Sequence, residues 1–232
     1  MAPQRPPVCG SGRRRLKKRS ANDLETGVAD APRTKSPASL RLTVLLGFLG
    51  SGKTTMLLAM SRYLVSQGRR VAIVVNEAGK VPIDGSVLGT STNRVREIFG
   101  GCFCCQLAGS LLETLQEVRR DLDVDRVFLE PSGLADPSQI KSLAETAGLP
   151  TRHVAVLDLE RLEFLREVIT PLVNNTLLAA DIVLLNKADL VTTEVVREAE
   201  AFVRETRPDV PVRVLSASKG MDRSLLEEVL AE

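Results

Sequence analysis

The sequence predicts an α/β architecture, a mostly parallel β-sheet with helices on both faces. Three observations predict it. From Leu40 onward, short and almost continuously apolar runs alternate with longer helical stretches. The first run passes straight into Gly47-Phe48-Leu49-Gly50-Ser51-Gly52-Lys53-Thr54-Thr55, a GxxxxGK[ST] pattern in a strand–loop–helix setting. A later run ends in Asn186-Lys187-Ala188-Asp189, again where a strand should give way to a loop. Together they specify a P-loop NTPase fold.

The predicted strands, in order, are Leu42–Leu46, Val71–Val75, Arg126–Leu129, His153–Leu157, Ile182–Leu185 and Val212–Leu215. Each is apolar nearly throughout, as a strand covered on both faces must be. The predicted helices between them are Thr54–Gln67, Leu107–Arg120, Ser138–Ala147, Thr193–Glu205 and Asp222–Ala231. Asn76–Cys105 breaks the rhythm. It is long, Gly-rich and holds at most one short strand near Arg94–Phe99. An interruption of that length in a compact domain is usually functional. Residues 1–39 are rich in Pro, Arg, Ser and Ala without apolar periodicity, and are expected to be a disordered basic leader. Residues 40–232 are expected to form the P-loop domain.

Composition narrows the classes. The chain has 232 residues, is 44% hydrophobic and only 3% aromatic. A real core is available, but the exposed rings on which base-stacking nucleic-acid modules rely are scarce. Residues 1–40 hold nine Lys/Arg against three Asp/Glu, which leaves the other 192 at a net −4 out of the chain's +2. Basicity therefore belongs to the leader, and a nucleic-acid role for the body loses its support. No apolar run approaches the ~18 residues of a membrane span. Arg13–Arg19 is not followed by an apolar stretch, so it is no secretory signal; it reads as a solvated extension, or as a nuclear address or polyanion-binding arm. The four cysteines form no disulfide framework, which points to a reducing, cytoplasmic setting.

The glycine-rich loop carries the first chemistry. Gly47, Gly50 and Gly52 let the backbone bend so that amides, Ser51's included, point at phosphate oxygens, and the following helix adds its positive end. Lys53 is expected on the β/γ-phosphates, Thr54 on Mg²⁺ and Thr55 on the α-phosphate. In the Asn186–Asp189 tetrapeptide, the Asp189 carboxylate can accept both N1–H and N2–H₂ of guanine, a pair adenine does not offer. The stem of Lys187 can cover the base, and Asn186 can brace the loop. Backbone amides of Ser216-Ala217-Ser218 are expected near guanine O6. These elements favour GTP over ATP. Glu130, ending the strand Arg126–Leu129, can hold Mg²⁺ through water, and Gly133 lets an amide approach the γ-phosphate. Lys53, Glu130 and Gly133 are the expected catalytic set. Asp84 is the candidate Mg²⁺ or water contact from the long loop.

Cys102, Cys104 and Cys105 follow Gly100-Gly101 just before a predicted helix. Thiolates at a helix start have lowered pKa and take soft or borderline metals. Metal binding is the leading reading, ahead of redox chemistry and inert packing. Three sulfurs leave a tetrahedral ion one ligand short. Glu77, Asp84, His153, a water or a partner protein are the candidates, although His153 leads a strand and reads as structural.

The order GFLGSGKTT, VNEAGKVPIDG, GGCFCC, EPSGLADP, NKAD resembles the CobW/HypB/UreG group of P-loop GTPases, above all its CobW-like branch, which is associated with metal delivery and cobalamin metabolism. The resemblance runs from about Leu42 to Glu232. It implies a SIMIBI-type GTPase that binds Zn²⁺, Co²⁺ or Ni²⁺ through Cys102, Cys104 and Cys105, with Glu130–Gly133 as its switch. Lys80 stands where the branch often has Glu, and neither His-rich stretches nor the branch's usual C-terminal domain follows in the sequence. The expected function is GTP hydrolysis coupled to metal delivery to a metallo- or corrinoid-dependent client. Turnover should be slow until a homodimer or the client completes the site, since no Gln or Arg finger is assignable. The rivals are a non-catalytic GTP-dependent assembly module and an ATP-dependent kinase; Asn186–Asp189 disfavours the latter.

Overall fold

The computed structural model describes residues 40–75, 95–99 and 107–231. They form a seven-stranded sheet of β1 (Arg41–Leu46), β2 (Val71–Val75), β3 (Val95–Phe99), β4 (Arg126–Glu130), β5 (Thr151–Asp158), β6 (Ile182–Asn186) and β7 (Val212–Val214). The spatial order is β3-β2-β4-β1-β5-β6-β7, and every neighbouring pair is parallel. The helices are α1 (Lys53–Ser66), α2 (Leu107–Asp121), α3 (Pro137–Thr146), α4 (Leu162–Ala179), α5 (Thr193–Thr206) and α6 (Arg223–Val229). The single strand anticipated inside Asn76–Cys105 is β3, added to the sheet edge beside β2.

Burial explains why the strands read as continuous apolar runs. Along β1, Leu42, Val44 and Leu46 pack with Leu115, Val118 and Ile140 of α2 and α3. Leu45 points the other way, to Met56, Leu57 and Met60 of α1 and Leu226 and Val229 of α6. Farther along, Leu157, Val183 and Leu185 pack with Val173 and Leu177 of α4 and Phe202 and Val203 of α5. At about 25 cal/mol per Å² of apolar surface removed from water, these fully buried aliphatic side chains supply the main driving force for folding.

The structure adds one helix that the sequence pattern does not reveal. α4 spans 18 residues but contains Pro171 and a non-helical Ile169 (φ −137°, ψ 38°). Proline removes a backbone donor and disfavours helical geometry just before it, so the helix bends there. Asn174 and Asn175 break the apolar periodicity one turn later. Leu162, Val173, Thr176 and Leu177 nevertheless bury one side of it.

The topology fixes where a ligand can sit. β1 lies between β4 and β5, and the chain leaves it toward β2 on one side and returns to build β5–β7 on the other. Open parallel sheets bind ligands at the carboxyl ends of the strands near such a reversal. The loops after β1, β4, β5, β6 and β7 all open there. Among the described residues no helix is long and apolar enough to cross a membrane.

Candidate functional site

The loop joining β1 to α1 is shaped by its glycines. Gly52 takes φ 102° at the helix N-cap, where a Cβ would collide with the side-chain amide of Asn186. Only glycine meets both demands. Gly47 and Gly50 also take left-handed φ values, 143° and 80°. Ser51 N–H donates to Phe48 O at 3.1 Å, closing the turn. The Ser51 side chain is buried, and a Cβ on Gly47 would lie 3.0 Å from its hydroxyl oxygen. That hydroxyl has no hydrogen-bond partner among the described residues. Thr55 stands exposed one residue after Thr54.

Lys53, Thr54 and Glu130 converge from different elements. Lys53 is 5% exposed, and its Nζ donates to Phe48 O at 3.0 Å and lies 4.0 Å from Glu130 Oε1. The Thr54 hydroxyl donates to Glu130, 2.8 Å from Oε2 and 3.1 Å from Oε1. β4 carries Glu130 here because it pairs with β1, the strand that feeds the loop. A hydroxyl and a buried carboxylate in contact are hard oxygen donors that suit Mg²⁺. Gly133 backs onto the same loop. A Cβ there would sit 3.2 Å from Phe48 Cα and 3.3 Å from Gly47 O, so any side chain would press on the cradle.

At the other end, Asn186 ties three loops together. Its Nδ2 donates to Ser51 O at 2.7 Å, and its Oδ1 accepts from Ala217 N–H at 2.9 Å. The Ala217 amide, one of those expected near guanine O6, is thus bonded to Asn186 in this structure. Ser216 accepts the Asp189 N–H with its hydroxyl at 3.0 Å. That hydroxyl also holds the Asp189 carboxyl below its ordinary range, aided by its own backbone and by Lys219, 3.8 Å away. Asp189 is thereby kept an anion, ready to accept from two adjacent N–H groups.

Lys187 is the one non-glycine residue with positive φ (66°) among the described residues. Such a conformation costs about 1–2 kcal/mol outside glycine. An ion pair holds the side chain in place: Lys187 Nζ lies 2.6 Å from Asp158 Oδ2, with the Asp158 side chain 2% exposed. Sequence reasoning did not single out Asp158. The available signal was a carboxylate one residue past a predicted buried strand, in the setting that also marks Glu130. The register Asp158↔Asn186 brings it beside Lys187. Glu160 lies 3.4 Å from the same ammonium, and Arg161 Nε 3.6 Å from Asp158.

The remaining assignments fall elsewhere. Asp84, Cys102, Cys104, Cys105 and Glu77 lie outside the described residues. His153 is buried in β5, with Nδ1 3.1 Å from Ala179 O, and burial lowers its pKa. It sits toward the amino end of its strand, away from the cradle. Among the described residues no three His, Cys, Asp or Glu side chains form a metal-binding group.

A family model described as the nucleotide-binding domain of CobW/HypB/UreG matches residues 41–213. The chain is 32% identical to the zinc chaperone CobW of Pseudomonas aeruginosa, over 80% of this chain and 58% of that protein. It is 35% identical to the zinc chaperone YeiR of Escherichia coli, over 66% of this chain and 48% of that protein. It thus spans about half the length of the curated relatives it matches. The crystal structure of HypB from Helicobacter pylori in complex with nickel shares the fold, with a TM-score of 0.54 at 16% identity over 82% of this chain and 83% of that one.

Proposed function

The chain belongs to the CobW/HypB/UreG nucleotide-binding family, and from that premise we propose that it hydrolyses GTP and couples its nucleotide state to delivery of a zinc, cobalt or nickel ion to a metallo- or corrinoid-dependent client. One observation carries the catalytic half: the Lys53 ammonium, the Thr54 hydroxyl and the Glu130 carboxylate meet beside a glycine-built anion cradle.

Each residue then has a task. Loop amides hold the phosphates, and Lys53 moves from Phe48 O to the β/γ oxygens, where its charge offsets what develops on cleavage. Asp189 selects guanine, and Lys187, pinned by Asp158, lays its stem against the base. Thr54 and Glu130 would hold Mg²⁺, which supplies further charge neutralisation to the phosphates when bound. Gly133 keeps the segment after β4 flush against the cradle, so a change at the γ-phosphate is felt there.

Support for the metal half comes from the Cys102, Cys104, Cys105 cluster in the sequence and from the chaperone names of the relatives. Zinc is cargo in this reading. Asp84, which precedes the cysteines in the sequence, is assigned to the Mg²⁺ side. In the sequence this segment follows β2, the strand paired with β4 that carries Glu130, so nucleotide and metal affinities should be reciprocally linked.

The test is phosphate release from GTP and from ATP by the purified chain, together with Co²⁺ titration followed by thiolate charge-transfer absorption. GTP should be turned over in preference to ATP, and Co²⁺ should bind with different affinity in the GTP-analogue and GDP states. Equal metal affinity in the two states would overturn the coupling. GTP binding without phosphate release would leave the assembly-module role.

A further inference from the structure

We propose that Arg161 is a ligand of the nucleotide's phosphate chain, supplied by the turn between β5 and α4 and not by the P-loop itself; the proposal rests on the nucleotide-binding reading above. Its guanidinium lies against the middle of the P-loop. A Cβ built on Gly50 would stand 3.4 Å from Nη2, 3.5 Å from Nη1 and 3.7 Å from Cζ. Gly50 adopts its left-handed φ in the loop whose amides turn toward phosphate oxygens, so an anion held there lies within reach of the same guanidinium.

The anchoring of this side chain leaves its working end available. Arg161 occupies the N-cap of α4, its N–H donating to Asp158 O at 3.2 Å. Its Nε is 3.6 Å from the Asp158 carboxylate, near enough for attraction and too far for a hydrogen bond. Its two Nη groups have no acceptor among the described residues, although the side chain is only 53% exposed and already rests on the loop. Glu160, the next carboxylate along, is turned to Lys187. Paired donors in a fixed fork beside an anion cradle match the way a guanidinium grips phosphate. Asp158 thus serves both ends of the nucleotide, holding Lys187 for the base and steering Arg161 toward the phosphates.

The test uses the full chain. Arg161→Ala is expected to weaken GTP and GDP binding about tenfold, to leave the GTP-over-ATP preference unchanged, and to flatten the salt dependence of binding. Arg161→Lys, which keeps the charge but not the fork, should recover part of the loss. Arg161→Gln provides the same comparison in a longer neutral side chain should the alanine variant melt early. Wild-type affinity in the neutral variants overturns the proposal. So does a loss accompanied by a changed base preference, because Arg161 would then act through Asp158 on Lys187. A wild-type chain that binds no GTP refutes the nucleotide reading itself, whereas binding that is indifferent to Arg161 refutes only this assignment.

Discussion

Asp189 concentrates base recognition in one carboxylate. Its neighbours, Ser216 first and Lys219 at 3.8 Å among them, hold it ionised just past the carboxyl end of β6. Asp189→Asn replaces one acceptor oxygen by a donor and should therefore favour a base with a carbonyl at position 2. GTP affinity is expected to fall by about 2 kcal/mol while affinity for xanthosine triphosphate rises. Competition binding with the two nucleotides measures this, and an unchanged ratio would remove Asp189 from the base site. The tetrapeptide itself was readable from sequence because all its residues are contiguous. Asp158 was not, since its partner Lys187 is 29 positions away and only the β5–β6 register brings the two side by side.

Strand β5 and helix α4 meet at His153, whose ring is buried against Ala179 O with its Nε2 lacking a partner. Burial lowers its pKa, so the folded state keeps the ring neutral while the unfolded chain takes up a proton near the ordinary 6.5. Stability from this source is present above that pH and declines as pH falls below it. The melting temperature should drop between pH 7 and pH 5, and the slope should be shallower in His153→Gln; parallel slopes would show that the contact is not titrating. The same contact shows where sequence reasoning stopped. β5 was legible because its apolar run is unbroken, and α1 because a glycine-rich loop precedes it. α4 was not, because Pro171 and the Asn174-Asn175 pair interrupt its period, and only packing against β5 and β6 compensates for them. The cradle was legible as a motif, but the link from Asn186 to Ser51 joins residues 135 apart, and no local pattern announces it.

At the scale of the whole molecule, residues 1–39 are rich in Pro, Arg, Ser and Ala and carry no apolar periodicity that could build a docking face. Deleting residues 1–38 is therefore expected to change the melting temperature by no more than about 2 °C and GTP affinity by less than twofold, checked by calorimetry and nucleotide titration; a large loss of stability would show that the leader packs on the domain. The placement of β1 has a further consequence, during synthesis. This strand is made first, yet its sheet neighbours are β4 and β5, which end at Glu130 and Asp158. At about 5–20 residues per second, a ribosome needs roughly 5–20 s to deliver both after β1 has been made. Until β4 is made, an apolar segment destined for the centre of the sheet has no edge to join. The cell must tolerate or shield it, and the pause falls on the segment that carries the glycine loop.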